Sequence, residues 1–220
     1  MTPVLYYHRV GPFRPGAPRK MNVSPEAFRA QMLLLRRHRV EVLTLDQVLE
    51  GGRGVALTFD DGYRDCLEHA LPILQSLGFP ATFFIVAGRV GGMDDWMRGT
   101  RQPPERLMDW DDLRRLVDAG MAVGSHSLTH GTLTPEEVSG SRRLLEDRLG
   151  IRVEHFAYPR GECPPEAQSW VRSAGYRAGW ATRSGDARPF TRRRLPVSGS
   201  SGLAAFAGRL LKARMGYYGA

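Results

Sequence analysis

"GVALTFDDGY", residues 54–63, runs apolar through Phe59 and then places two carboxylates, Asp60 and Asp61, side by side. A near-continuous apolar run of this length reads as a strand covered on both faces, the kind found in parallel sheets flanked by helices. In such folds ligands bind beyond the carboxyl ends of the strands. Neighbouring carboxylates repel, and both stay ionised readily only when each has a partner of its own. The pair therefore predicts a parallel α/β fold with a functional site at this strand end, where each aspartate has a different partner.

The chain alternates on either side of this strand. PVLYY (3–7), VEVLTL (40–45), ATFFIV (81–86), MAVGS (121–125), HFAY (155–158), YRAGWAT (176–182) and RRLPVSG (193–199) read as further strands. Helical segments lie between them. Residues 24–38 have Ser24 as N-cap, Pro25 in the first turn, and Phe28, Met32 and Leu35 on one face. Residues 63–78 carry Pro72, which predicts a bend, and residues 134–150 open with a capping box of Thr134 and Glu137. Helices are also expected at 46–51, 110–120, 164–175 and 203–215, and residues 88–108 form a long loop around Trp96. Loops of that length in a compact domain are usually functional. The alternation predicts right-handed crossovers and leaves a barrel and an open doubly wound sheet both open.

The strand ends collect polar groups. His8 follows the first strand, and Asp60 and Asp61 follow the quoted one. His126 and His130 follow MAVGS, and Pro159, Arg160 and Gly161 follow HFAY. Two imidazoles with a carboxylate suit a zinc-type site that keeps one position open, where a cation acidifies water.

TFDDG (58–62) together with SHSLTH (125–130) resembles the NodB-homology polysaccharide deacetylases, carbohydrate esterase family 4. YYHRV, VSPEAFRAQM, GFPATFFIV and DAGMAVGSHS agree with that family along nearly the whole chain. The resemblance is closest to the branch that includes poly-N-acetylglucosamine deacetylases. It implies a single domain over residues 1–220, folded as an irregular (β/α)7-type barrel. It implies Asp60 as catalytic base and Asp61, His126 and His130 as ligands of one divalent transition metal. Zn²⁺ is expected, with Co²⁺, Ni²⁺ or Mn²⁺ as alternatives. The implied partner is an N-acetylated oligo- or polysaccharide, with Pro159, Arg160 and Gly161 at the substrate and oxyanion position. Trp96 and Trp180 are candidates for stacking on sugar rings.

Two of the family's motifs are altered. In AYPRG (157–161), Ala157 stands where the family has a base-orienting arginine and Arg160 where it has tyrosine. In LPVS (195–198), Ser198 stands where it has a general-acid histidine. His8 is the substitute acid expected at the strand carboxyl ends, whereas His155 precedes its strand and should face the other end.

Composition bounds the alternatives. Net charge is +8 and the pI about 10.1, with lysine only at Lys20 and Lys212. The arginines are scattered and form no stripe with interleaved aromatics, so a solvated surface is expected and no nucleic acid. Cys66 and Cys163 match no zinc or redox spacing. No apolar stretch approaches a membrane span, and MTPVLYYHRV carries no signal-peptide pattern. A monomer is expected, cytoplasmic by default, although many members of the family are exported. The competing readings are a non-catalytic carbohydrate-binding relative, an amidohydrolase on a non-carbohydrate amide, and a charge-driven nucleic-acid binder.

Overall fold

The chain was analysed as a computed structural model, which describes residues 2–13, 21–97, 103–182, 185–199 and 202–214. The elements in chain order are β1 (Val4–Tyr7), β2 (Arg9–Val10), β3 (Asn22–Val23), α1 (Pro25–Arg37), β4 (Val42–Leu43), α2 (Leu45–Leu49), β5 (Val55–Phe59), α3 (Leu71–Leu77), β6 (Thr82–Ile85), α4 (Trp110–Asp118), β7 (Ala122–Ser125), α5 (Pro135–Leu149), β8 (His155–Ala157), α6 (Pro165–Ser173), β9 (Ala178–Ala181), β10 (Arg192–Arg193), β11 (Leu195–Pro196) and α7 (Leu203–Arg214). The expected last residue of the closing helix, Met215, lies outside the described residues.

Eight parallel strands run side by side in the order β10, β9, β8, β7, β6, β5, β1, β11. The two outermost belong to one short segment. Arg192 and Arg193 pair with Trp180 and Ala181 of β9, while Leu195 and Pro196 pair with Leu5 and Tyr6 of β1. Arg194 lies between them and still donates its N–H to Ala181 O. This segment therefore bridges the two ends of the sheet and makes a nearly closed barrel, the (β/α)7 arrangement that the resemblance implied. The small parallel pair β2–β3 was not expected.

Side-chain alternation along each strand separates two cores. Val55, Leu57 and Phe59 of β5 face the helices, with Phe59 stacked on Phe83 at 4.6 Å. Ala56 faces the lumen with Val4, Phe84, Ala157, Ala178 and Trp180. Each large side chain so buried contributes roughly 1.5–3 kcal/mol. Trp180, a candidate for either sugar stacking or core, is fully buried in the lumen and is core.

The bend at Pro72 has a specific form. Cys66–Ala70 is a π-helical turn that leads into α3, with Pro72 in its first turn. The wider turn accommodates a ring that would otherwise clash with the carbonyl four residues earlier. His155 begins β8 at the opposite end of the barrel from the site, beside Asp46 at 3.3 Å, as its position before the strand predicted. Both cysteines are buried thiols.

Candidate active site

Period-two alternation carries Asp60 inward after Ala56 and Thr58, and its N–H continues the β1 ladder to Tyr7 O at 2.9 Å. The chain then turns sharply through Asp61 (φ 73°) and Gly62 (φ 79°). Left-handed backbone at a non-glycine residue costs about 1–2 kcal/mol, and it brings the second carboxylate back over the lumen. After β7, His126 is held by its N–H on Ile85 O at 2.8 Å. Ser127 (φ 66°) and His130 (φ 61°) are also left-handed, so the loop doubles back and both imidazoles reach the same point.

That point is Asp61 Oδ1, which lies 3.4 Å from His126 Nε2 and 3.5 Å from His130 Nε2. All three residues are buried, and Asp61 Oδ1 has no hydrogen-bond partner. His126 Nδ1 donates to Ala157 O at 2.8 Å, which leaves Nε2 with its lone pair directed at the cluster. Metal–ligand bonds of about 2.0–2.1 Å at tetrahedral angles separate ligand atoms by about 3.3–3.4 Å. The orphaned oxygen and this spacing fit a small divalent ion.

The charges around the cluster shift its three members in different directions. Burial opposes ionising Asp61, but His126, His8 and His130 outweigh it and hold its carboxyl below the ordinary range. Burial pushes His130 down to about 4, against the pull of Asp61, so its ring is neutral at neutral pH and able to ligate. Burial likewise opposes charge on His126, but the adjacent carboxylates of Asp61 and Asp60 raise its pKa.

These groups line a cavity of about 280 Å³ at the strand carboxyl ends, together with His8, Trp96 and Arg160. A larger depression of about 620 Å³ opens among Pro3, Gly54 and Arg192, and neither carboxylate nor imidazole lines it.

A family model for polysaccharide deacetylases matches residues 49–179, the stretch that supplies the aspartates and both histidines. The chain belongs to the polysaccharide deacetylase family. Two curated proteins are similar to it. YxkH of Bacillus subtilis (strain 168), described as a polysaccharide deacetylase, is 24% identical over 84% of this chain and 66% of its own length. A chitooligosaccharide deacetylase of Rhizobium leguminosarum bv. trifolii is 30% identical over 64% of this chain and 55% of its own. The chain thus spans less than two thirds of each. Among solved structures, IcaB from Ammonifex degensii is 25% identical, with a TM-score of 0.78 over 95% of this chain and 96% of that one.

For a member of this family, the cation beside Asp60 comes from an unexpected place. Arg194, with its side chain fully buried, grips both oxygens of Asp60 at 2.6 and 2.9 Å and Thr58 Oγ1 at 3.1 Å. Its guanidinium lies over the rings of Tyr6 and Phe84, at 5.1 and 5.0 Å. Burial would raise the Asp60 pKa, but Arg194, His126 and His8 lower it below the ordinary range. Arg194 falls in the expected strand RRLPVSG (193–199), where it was given no functional role. One signal was available: Leu195 and Val197 face the helices, so alternation turns Arg194 inward.

The other expected residues fall as follows. Arg160 is exposed at the cavity rim and does not replace the missing guanidinium beside Asp60. It takes φ 59° in the one-turn helix Pro159–Gly161. Gly161 (φ 73°) lies so close to Thr182 Oγ1 that a Cβ would meet it at 1.6 Å, so no side chain fits. Its N–H is already bonded to Tyr158 O, and proline has none, so the Arg160 N–H is the remaining backbone donor of this triplet. His8 lines the cavity edge-on to Tyr6, while Ser198 does not line it. Trp96 lies against His130, with ring centroids 4.6 Å apart.

Proposed function

We propose that the protein hydrolyses N-acetyl groups on an N-acetylated glycan, with Asp61, His126 and His130 holding a divalent transition ion, Zn²⁺ first. The observation that carries the reading is a buried carboxylate, Asp60, clamped by Arg194 next to a buried Asp–His–His cluster with an orphaned oxygen, all in one cavity. The similarity to a chitooligosaccharide deacetylase supports a glycan containing N-acetylglucosamine.

A divalent ion at the cluster supplies Lewis-acid polarisation and acidifies water. This chain's residues do the rest. Asp60, ionised and held in one orientation by Arg194, accepts a proton from the attacking water as it adds to the acetyl carbonyl. The Arg160 N–H faces the oxygen that gains charge, a role for which one donor is worth about 3–4 kcal/mol. The carbon–nitrogen bond then breaks, and the amine leaves with a proton. His8, on the cavity wall, gives that proton.

The test is acetate release from acetylated chito-oligosaccharides by the Zn²⁺-loaded protein, with metal content measured on wild type and His126→Ala. Wild type should hold one ion per chain and release acetate, and the variant should lose both. Equal metal in the two proteins would remove the ligand assignment, and metal without acetate would favour the binding-only reading.

His8→Gln should keep its metal and lower kcat more than tenfold, with the alkaline limb of the kcat profile lost because that limb reports the acid. An unchanged rate and profile would put His8 outside the chemistry.

A further inference from the structure

Glu137 was expected to close a capping box at the start of α5, and the structure makes only half of one. Thr134 Oγ1 accepts from Glu137 N at 3.2 Å, as an N-cap does. The Glu137 carboxylate does not return to the Thr134 N–H. It reaches out of the helix to the loop between the two histidines. Oε2 accepts from Leu128 N at 3.0 Å and from Thr129 N at 2.8 Å, and Oε1 accepts from Thr129 Oγ1 at 2.7 Å. The Leu128 N–H is shared with the Glu137 backbone carbonyl at 3.1 Å.

That loop needs holding. Its four bonds from His126 to His130 include two non-glycine residues in left-handed backbone, Ser127 and the ligand-bearing His130 itself. Such residues persist only where the surroundings over-determine them. The loop's carbonyl side is fixed from the end of β6, where Ala87 N donates to Ser127 O and Gly88 N to Leu128 O. Its donor side is fixed by Glu137. Thr129 Oγ1, oriented by the same carboxylate, in turn accepts from Gly131 N at 3.3 Å, immediately beyond His130.

We infer that Glu137 is a positioning residue for the metal cluster, setting the separation of the His126 and His130 rings by clamping the crest of the loop that joins them. The inference rests on the metal reading above. A carboxylate ion suits this place because it accepts three hydrogen bonds at once and donates none. An amide offers one oxygen and two N–H groups, and those would face the N–H groups of Leu128 and Thr129. Groups that orient metal ligands from behind typically change metal affinity 10–100-fold when lost.

The experiment uses the full chain stripped of metal and titrated with Zn²⁺ against a chromophoric chelator, for wild type, Glu137→Gln and Thr129→Val. The visible spectrum of each Co²⁺-loaded protein reports ligand geometry. Glu137→Gln should bind Zn²⁺ 10–100-fold more weakly, with an altered Co²⁺ spectrum and a wild-type circular dichroism spectrum. Thr129→Val, which removes one of the three bonds, should weaken binding by a smaller factor. Wild-type affinity and spectrum in a folded Glu137→Gln protein would overturn the inference. If that variant does not fold, wild-type Zn²⁺ affinity in Thr129→Val would overturn it, and weakened affinity would uphold it. A wild-type chain that binds neither Zn²⁺ nor Co²⁺ would instead overturn the metal reading on which it rests.

Discussion

Asp60→Asn abolishes nearly all turnover while leaving the metal in place: we expect kcat to fall by about 10²–10⁴-fold, the range a positioned general base contributes. The amide keeps the shape of the carboxyl and can still accept from Arg194, but it cannot take a proton from water. Since Asp61, His126 and His130 make the cluster without Asp60, metal content should match wild type. The substitution also leaves the Arg194 guanidinium buried without its counter-charge. Removing one member of a buried pair costs about 3–5 kcal/mol, which for a chain of this size lowers Tm by roughly 6–20 °C. Acetate release, metal content and calorimetry on the one variant separate these effects. Turnover within a few-fold of wild type would show that Asp60 is not the base, and loss of metal would make it a ligand.

Arg194→Ala leaves every residue of the expected motifs intact and still disables the site. Asp60 is buried, and desolvation alone would push its pKa above the ordinary carboxylate range; Arg194 is the largest of the groups that hold it below. The sign follows directly. Asp60 must be ionised to accept a proton, so a depressed pKa keeps the enzyme active as pH falls. Without Arg194 the pKa rises, and the acid limb of the kcat/KM profile moves to higher pH. At neutral pH we expect about a 10²-fold loss or more, approaching that of losing the base, with unchanged metal content. The stability cost again comes from breaking a buried pair, about 3–5 kcal/mol. Arg194→Lys should recover part of the rate by restoring charge without the two-pronged grip. Ala157→Arg added to Arg194→Ala tests whether the family's usual position can supply the guanidinium. An Arg194→Ala enzyme with a wild-type pH profile would mean that Asp60 needs no cation beside it.

Asp61 and His126 were legible in the sequence because each lies within two residues of a strand end, with His130 four residues on in the same loop, and strand direction decides which end of a parallel sheet receives them. Trp180 was left open between a sugar platform and core, because aromatic residues serve sugar rings and barrel interiors equally well. Only the inner-face packing with Phe84 and Ala157 distinguishes the two. Glu137 was half legible: the helix start was correct, but a capping box and a loop clamp have the same local pattern. The hydrogen bonds go to residues eight and nine positions upstream.

The sequence by itself determined the alternation of strands and helices and the placing of Asp60, Asp61, His126 and His130 at the carboxyl ends of strands. These depend on local periodicity and on groups lying within a few residues of a strand end. The tertiary structure alone decided which cation sits beside Asp60. Arg194 lies 134 positions along the chain from its partner. It reaches that partner only because the segment from Arg192 to Pro196 pairs with β9 on one side and β1 on the other. Barrel closure turns the residue at that seam into the lumen. Alternation with Leu195 and Val197 gives the direction of Arg194 but not the partner it meets there, because the closure is a property of the whole ring of strands.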